Sequence, residues 1–290
     1  DGTTIAFDDH PGGDETPVIL VHGITETAAT WEPLIERLTS RRRVIVLDLR
    51  GHGRSGTAER YDLGEMAGDV VALASNLNII RPHLVGHSLG GAVVSAVGAV
   101  LPVSSIINID QSLQLDGFKE QLHEFEEQLR DPAAFPLVIQ GLFEVMAGEK
   151  IDPDEMARIN AQRRPDQNVV LGVWDLILTS SVEEITAVVA TALAGYRGKH
   201  VDYLTLFGID PGPGYAEWIA SYIPGAVTEV WPRHGHYPHL VEQDPATRAN
   251  ALTQLGAGRP RLVGGVGQHD DPKPPRGVGR GVDERHLAAE

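Results

Sequence analysis

A serine in a glycine-framed turn is the feature of this 290-residue sequence with the clearest chemical potential. The pentapeptide Gly86-His-Ser-Leu-Gly90 follows an apolar run typical of a strand and precedes a run typical of a helix. A serine between two such elements sits on a strained bend that exposes its hydroxyl, and glycine two positions before and after lets the strand and the helix approach closely. The pattern predicts that Ser88 is a nucleophile.

A serine hydroxyl needs a base within hydrogen-bond reach, and the base needs a carboxylate to orient it. Three histidines, His234, His236 and His239, lie close together late in the chain. His236 follows a glycine, in the loop position that a general base needs, and is the predicted base. The alternative is a metal site on the three histidines. Their H-x-H-x-x-H spacing lacks a matched carboxylate, so no metal is expected.

Two aspartates compete for the role of the orienting acid. Asp210 ends the apolar run Leu206-Phe-Gly-Ile-Asp210, which lies between Ser88 and His236 in the chain order nucleophile, acid, base. We therefore predict Asp210 as the acid. Asp110 ends an earlier strand in the same way and remains the alternative.

Acyl transfer also needs donors for the oxygen that becomes negative when serine attacks a carbonyl. The segment His22-Gly-Ile-Thr25 follows an apolar strand, so a loop there can direct a backbone N–H at this oxygen. The predicted donors are the N–H groups of Ile24 and Leu89. A simple strand-to-loop turn is the alternative interpretation of the His-Gly pair, and His22 itself is expected to be structural.

The elements that position these residues alternate between strands and helices. The apolar runs are nearly continuous, which is typical of parallel strands covered on both faces, and the alternation indicates an α/β fold. The predicted strands are Val18–Val21, Val44–Leu47, His83–Val85, Ser105–Ile109 and Val201–Phe207, and the predicted helices between them are Trp31–Leu38, Glu65–Leu77 and Leu89–Val100.

The alternation stops after Asp110, and helical patterns fill the chain up to Gly195. We predict a helical cap over residues 113–199 between two parts of the core, residues 1–112 and 200–256. Residues 257–290 hold 7 Gly and 4 Pro and no aromatic residue, which predicts a disordered tail. The cap offers seven apolar candidates for the lining of a substrate pocket. We predict that Phe143, Met146 and Trp174 line it, and the wider set adds Phe118, Phe125, Leu142 and Leu176.

Composition excludes several classes of function. The chain has no cysteine, which removes thiolate nucleophiles, disulfides and Cys-ligated metals, and its formal charge of −16 disfavours nucleic acid and anionic membranes as partners. Ser88 to Ile109 is uncharged and long enough for a membrane span, but its glycines and proline favour a buried helix followed by a strand. No signal peptide is visible, so a cytoplasmic location is the default expectation, and the absence of Met at the first position is compatible with a shortened N-terminus.

In these motifs the chain resembles the α/β-hydrolase fold superfamily over about residues 3–255. The resemblance rests on five segments in the family's order: His22-Gly23, the Asp48-to-Ser55 loop, Gly86-His-Ser-Leu-Gly90, Gly208-Ile-Asp210 and Gly235-His236. It implies a mostly parallel sheet of about eight strands flanked by helices, with a helical cap inserted after the sixth strand. It also implies a Ser–His–Asp catalytic triad whose serine lies on a nucleophile elbow, with an acid after the sixth or the seventh strand.

The resemblance narrows the chemistry as well. Dehalogenases and epoxide hydrolases of the superfamily carry Asp where this chain has Ser88, so alkyl-enzyme chemistry is not expected. The predicted activity is that of a serine esterase or lactonase acting on a neutral small molecule, because the cap carries 8 Lys and Arg against 15 Asp and Glu. No cofactor is expected. The alternatives are a C–C bond hydrolase, a cofactor-free peroxidase-like enzyme on the same triad, and a non-catalytic ligand-binding protein.

Overall fold

The structure, a computed structural model, describes residues 2–241. A sheet of six strands forms its centre: β1 (Phe7–Val21), β2 (Arg42–Leu47), β3 (His83–His87), β4 (Ser105–Ile109), β5 (Asp202–Phe207) and β6 (Val227–Val230). Their order across the sheet is β2-β1-β3-β4-β5-β6. Every neighbouring pair from β1 to β6 runs parallel, so the carboxyl ends of the strands meet at one edge.

The long strand β1 pairs with β2 in two senses. Its first part runs opposite to β2, since Phe7 faces Leu47 and His10 faces Val44. Its second part runs alongside β2, where Val18 faces Val44. The chain of β1 turns near Arg42, the first residue of β2, so that its two parts pair with the same residues of β2.

Ten α-helices connect and cover the strands of the described chain. Those between core strands are α1 (Glu32–Thr39), α2 (Leu63–Asn76), α3 (Leu89–Val100) and, between β5 and β6, α10 (Tyr215–Tyr222). The remaining six follow one another between β4 and β5: α4 (Asp116–Glu124), α5 (Glu126–Arg130), α6 (Phe135–Met146), α7 (Pro153–Gln162), α8 (Gln167–Thr179) and α9 (Val182–Leu193).

Alternating residues of each strand face the two sides of the sheet. In β1, Ile19 and Val21 pack with α2 and α3 residues such as Val70 and Val97, whereas Leu20 packs on the opposite side with Trp31. All of these side chains are buried, which explains why the strands are apolar along their whole length. A separate apolar cluster lies within the insertion.

The prediction of an α/β fold with a mostly parallel sheet and a helical insertion is confirmed, but the strand count is not eight. The part of the chain that the structure describes contains six strands, and the insertion follows the fourth of them. One reason for the lower count is that the segment before Val18, which could have formed a separate edge strand, is the first part of β1. The predicted tail at residues 257–290 and the last part of the predicted core lie outside the described residues.

The Ser88-to-Ile109 segment forms helix α3 followed by strand β4, as the sequence predicted. Across residues 2–241, no single helix is long and apolar enough to cross a membrane. One sharply bent pair of insertion helices, α8 with the segment from Val182 to Tyr196, meets the criterion on length and composition alone.

Candidate active site

Ser88 occupies a strained bend between β3 and α3. Its φ of 51° and ψ of −125° are unusual for a residue with a side chain, and its N–H donates to the Ile109 carbonyl at 2.8 Å. A side chain at Gly86 would collide with the backbone of Gly90, and one at Gly90 would collide with the backbone of Val21. The two glycines are therefore required by the close approach of the strand, the helix and β1.

His236 lies in the loop after β6, and Asp110 orients its ring. The His236 Nδ1 is 2.6 Å from Asp110 Oδ2, and both side chains are buried. The other oxygen of Asp110 accepts hydrogen bonds from the N–H groups of Gly208 at 2.7 Å and Ile209 at 3.1 Å. A carboxylate held in this way accepts the Nδ1 proton, which leaves the Nε2 lone pair available as a base.

The second ring nitrogen of His236, Nε2, is available to act as a base. Nε2 is buried and has no hydrogen-bond partner among residues 2–241. His236 and Ser88 line the same cavity. Burial lowers the pKa of His236, and the hydrogen bond that its ring donates to Asp110 opposes part of that shift. The ring is therefore neutral at neutral pH, the state that can take a proton from a hydroxyl.

The structure corrects the predicted partner of His236. Asp210 is exposed, and its Oδ1 accepts the N–H of Gly212 at 2.9 Å in a local turn. Asp110, the alternative acid, contacts the histidine instead. The turn that follows β5 still contributes, because its Gly208 and Ile209 N–H groups fix the Asp110 carboxylate. The carboxylate that contacts His236 thus follows β4, and the backbone N–H groups that hold it follow β5.

The residues of both predicted oxyanion donors line the same cavity as Ser88. Leu89 is the first residue of α3, so its N–H has no acceptor within the helix. Ile24 follows β1 in a loop that passes close to the serine, since a Cβ placed on Gly23 would lie 3.1 Å from the Ser88 Cβ. His22, in the same loop, is structural as expected, because its Nε2 accepts the Leu49 N–H at 3.0 Å and its Nδ1 donates to the Gly23 carbonyl at 2.7 Å.

A cavity of about 990 Å³ opens over Ser88 and His236. All three residues predicted for the pocket, Phe143, Met146 and Trp174, line it. Of the wider set of apolar candidates, Phe125 does not line it. The other aliphatic and aromatic hydrocarbon side chains of the wall come from both the core and the insertion: Ile24, Ala58, Leu63, Leu89, Ala92, Leu115, Phe118, Leu142, Val173, Leu176, Ile177 and Val188.

The three histidines considered for a metal differ in their contacts. His236 Nδ1 faces Asp110, whereas His234 Nδ1 donates to the Trp231 carbonyl at 2.9 Å. The ring of His239 stacks at 5.1 Å from that of Trp31. Within residues 2–241, no group of three His, Cys, Asp or Glu side chains is arranged to hold a metal ion.

Comparison with known proteins places this geometry in a family. The model of the alpha/beta hydrolase family matches residues 18–251, which include the nucleophile bend, both candidate acids and His236. The chain belongs to the alpha/beta hydrolase family. Its cap, the helical insertion between β4 and β5, lies within the matched region.

Two curated family relatives differ in how much of the chain they match. A dihydrolipoyllysine-residue acetyltransferase component of an acetoin cleaving system from Pseudomonas putida is 45% identical over 92 residues, 31% of this chain, which spans only 25% of that protein. A pimeloyl-[acyl-carrier protein] methyl ester esterase from Aliivibrio salmonicida is 26% identical over 250 residues, covering 80% of this chain and 89% of that protein.

A solved structure agrees with the family assignment at the level of the fold. A thermophilic esterase from Thermogutta terrifontis superimposes with a TM-score of 0.68 over 87% of this chain and 94% of its own, at 24% identity. The similarity in sequence is low, so it supports the α/β-hydrolase fold and not a particular substrate.

Sequence reasoning missed one group beside the site, formed by Glu26, His87, Arg163 and Tyr237. Glu26, His87 and Tyr237 are at most 2% exposed, and Arg163 reaches them from the cap. A buried acid in a loop has no periodic signal in a sequence. The only hint is positional, because His87 and Tyr237 are chain neighbours of Ser88 and His236.

Proposed function

We propose that this chain is a serine hydrolase that cleaves a neutral carboxylic ester or lactone through an acyl-enzyme on Ser88. The observation that carries the proposal is the state of His236, whose Nδ1 is bound by Asp110 while its buried Nε2 has no partner among the described residues. An imidazole oriented in this way, in the same cavity as a serine on a strained bend, supports acyl transfer.

In the first half-reaction His236 Nε2 takes the Ser88 proton as Oγ forms a bond to the substrate carbonyl carbon. The carbonyl oxygen becomes negative and accepts hydrogen bonds from the N–H groups of Ile24 and Leu89. His236 then donates the proton to the leaving alcohol oxygen as the C–O bond breaks. Asp110 stabilises the imidazolium throughout, and its own position is fixed by the turn after β5.

In the second half-reaction a water molecule replaces the alcohol. His236 removes a proton from the water, whose oxygen attacks the acyl carbon, and the same two N–H groups receive the negative charge again. The proton returns to Ser88 Oγ as the acyl–oxygen bond breaks and the carboxylic acid leaves. In a lactone the leaving alcohol stays attached to the acyl group, so the product is a hydroxy acid.

The cavity wall supports a neutral substrate with an apolar portion. Most of the side chains near Ser88 are aliphatic or aromatic. The charged lining residues are four carboxylates and one guanidinium: Glu59, Asp62, Asp166, Asp175 and Arg60. This balance repels anionic acyl donors.

The test measures ester hydrolysis together with the covalent intermediate. Wild-type protein is assayed with p-nitrophenyl esters and lactones of increasing acyl length, and Ser88 is followed by mass spectrometry for the mass of the acyl group. We expect turnover and an acyl adduct on the Ser88 peptide, both lost in Ser88→Ala. Asp210→Asn, which alters an exposed carboxylate away from His236, serves as the control with intact activity.

The same assay separates the competing functions. A protein that hydrolyses a vinylogous diketone but none of the esters is a C–C hydrolase, and peracid formation without ester turnover indicates the peroxidase-like alternative. Labelling of Ser88 by a fluorophosphonate without turnover of any of these substrates indicates a binding protein. Each of these outcomes contradicts the ester proposal.

A further inference from the structure

One buried carboxylate beside the candidate active site joins three separate parts of it. Glu26 is 2% exposed in the loop after β1. Its Oε2 accepts the N–H of Gly23 at 3.1 Å and lies 3.2 Å from His87 Nδ1. Its Oε1 accepts the hydroxyl of Tyr237 at 3.1 Å. Three polar groups of the same site therefore converge on a single side chain.

Each partner of Glu26 is the chain neighbour of a residue with a proposed role. Gly23 precedes the oxyanion donor Ile24, and His87 precedes the nucleophile. Tyr237 follows the base. A shift of the carboxylate would move all three segments, because each hydrogen bond acts within one residue of the reacting groups.

His87 adds a second connection between the nucleophile and the base. Its Nε2 donates to the His236 carbonyl oxygen at 2.7 Å, and its ring lies 4.6 Å from that of His236. Both ring nitrogens of His87 thus face oxygen acceptors, one of them the Glu26 carboxylate.

The cap supplies the counter-charge to this carboxylate. Arg163 directly follows α7, and its Nη2 lies 3.7 Å from Glu26 Oε1 while donating to the Tyr237 hydroxyl. Its Nη1 donates to Thr25 Oγ1 at 2.8 Å, and its guanidinium lies 3.7 Å from the ring centre of Phe143, a cavity residue. Only 8% of the Arg163 side chain is exposed. A buried carboxylate without such a partner is strongly destabilised.

We propose that Glu26 is a positioning residue for the triad and the oxyanion loop, and that Arg163 makes this positioning depend on a docked cap. The inference rests on the proposed function for the reaction that it serves. Arg163 touches both the carboxylate and the cavity wall, so the cap that covers the substrate also supports the geometry of the reacting groups.

The first test is Glu26→Gln, which keeps the size of the side chain and removes its charge. With p-nitrophenyl acetate we expect kcat to fall about 10- to 100-fold while KM changes little, because misplaced groups impair the transition state more than the binding of a small ester. The rate of Ser88 labelling by a fluorophosphonate should fall in parallel. A variant with lower thermal stability but unchanged kcat and labelling would overturn the proposal.

Two cap arginines provide a matched comparison. Arg158 also fastens the cap to the core, but it donates to the Ala29 and Thr30 carbonyl oxygens at 2.7 and 3.3 Å. We expect Arg163→Met to lower kcat and Arg158→Met to leave it near the wild-type value. Equal losses in the two variants would mean that cap docking alone matters and would contradict the role of Glu26.

The double variant Glu26→Gln with Arg163→Met tests whether the two residues act together. Its loss of kcat should be clearly smaller than the product of the two single losses, since removing one partner already disrupts the shared contact. Independent, multiplicative losses would overturn the coupling. If Glu26→Gln fails to fold, Tyr237→Phe removes one bond to the carboxylate and should lower kcat by about tenfold with little change in KM; wild-type kcat in that variant would also contradict the proposal.

These readouts distinguish failure of the proposed function from failure of this inference. Absence of ester turnover in the wild type rejects the proposed function, but Ser88 labelling still reports on the reactivity of the serine. Slower labelling in Glu26→Gln and Arg163→Met, but not in Arg158→Met, then supports the positioning role. Equal labelling of all four proteins rejects it.

Discussion

His236 Nδ1 lies 2.6 Å from Asp110 Oδ2, although the two residues are 126 positions apart in the chain. The contact takes the orienting acid from the end of β4 and not from the end of β5. Asp110 itself has a φ of 51°, and its N–H donates to the Leu206 carbonyl at 2.7 Å. Its side chain is therefore aimed by a strained backbone and held by the neighbouring strand.

The two aspartates should differ sharply in their effect on activity. We expect Asp110→Asn to lower kcat by about 10⁴-fold, because an amide favours the wrong tautomer of His236. Asp210→Asn should stay within about twofold of the wild type, since its side chain contacts only a local turn. Steady-state kinetics on one p-nitrophenyl ester measures both. A large loss in Asp210→Asn with an active Asp110→Asn would refute the assignment.

The sequence alone does not decide between the two aspartates. Both end a parallel strand, and the resemblance to the superfamily allows either position. The decision depends on hydrogen bonds from Gly208 and Ile209 to a carboxylate nearly one hundred residues earlier. The spacing of residues along the chain does not predict a contact between segments that are so far apart in sequence.

Local signals were more informative. The helix predicted for Leu89–Val100 has those bounds in the structure, because the glycine-framed bend and an uninterrupted apolar run define its start and length. The strand Ser105–Ile109 is likewise found as predicted. The last strand, Val227–Val230, was not predicted, since it is short, only half-buried and carries a glutamate. A strand whose side chains are only partly buried has little hydrophobic patterning by which a sequence could reveal it.

The acid limb of the pH profile should lie at low pH. Burial lowers the pKa of His236, so the ring stays neutral, and therefore able to accept a proton, below the ordinary value of about 6.5. We expect kcat/KM for an uncharged ester to rise with pH, with its midpoint below about 6.5, and then to stay level towards neutral pH. A pH–rate profile with the thermal stability checked at each pH measures this. A midpoint above 7 would contradict the burial of the base.

The bend at Ser88 should not tolerate a side chain at Gly90. A Cβ there would collide with the Val21 carbonyl, so we expect Gly90→Ala to cost about 1–3 kcal/mol of unfolding free energy. Urea denaturation measures the loss. Gly141→Ala is the matched control, because that glycine lies inside α6 with no atom within 4 Å of an added Cβ. It should be neutral or stabilising by up to about 1 kcal/mol, and equal effects would argue against a steric requirement at Gly90.

Filling the cavity from the cap should shorten the preferred acyl chain. Leu142 lines the cavity, so Leu142→Trp should reduce kcat/KM for an octanoate ester about tenfold relative to an acetate ester. The ratio of the two kcat/KM values measures the shift and cancels differences in active fraction. Leu137→Trp on the same helix places the indole on a site that is 73% exposed and should leave the ratio unchanged. An unchanged ratio in Leu142→Trp would place the acyl chain elsewhere.

The long separation of Asp110 and His236 also bears on when activity arises during biosynthesis. The segments that form the bend at Ser88, from β1 to the end of β4, leave the ribosome before the insertion. His236, in contrast, can reach Asp110 only after the whole insertion, β5, β6 and the loop that follows them have been synthesised. A growing polypeptide therefore carries the Ser88 hydroxyl without the imidazole of His236 while the insertion is being synthesised.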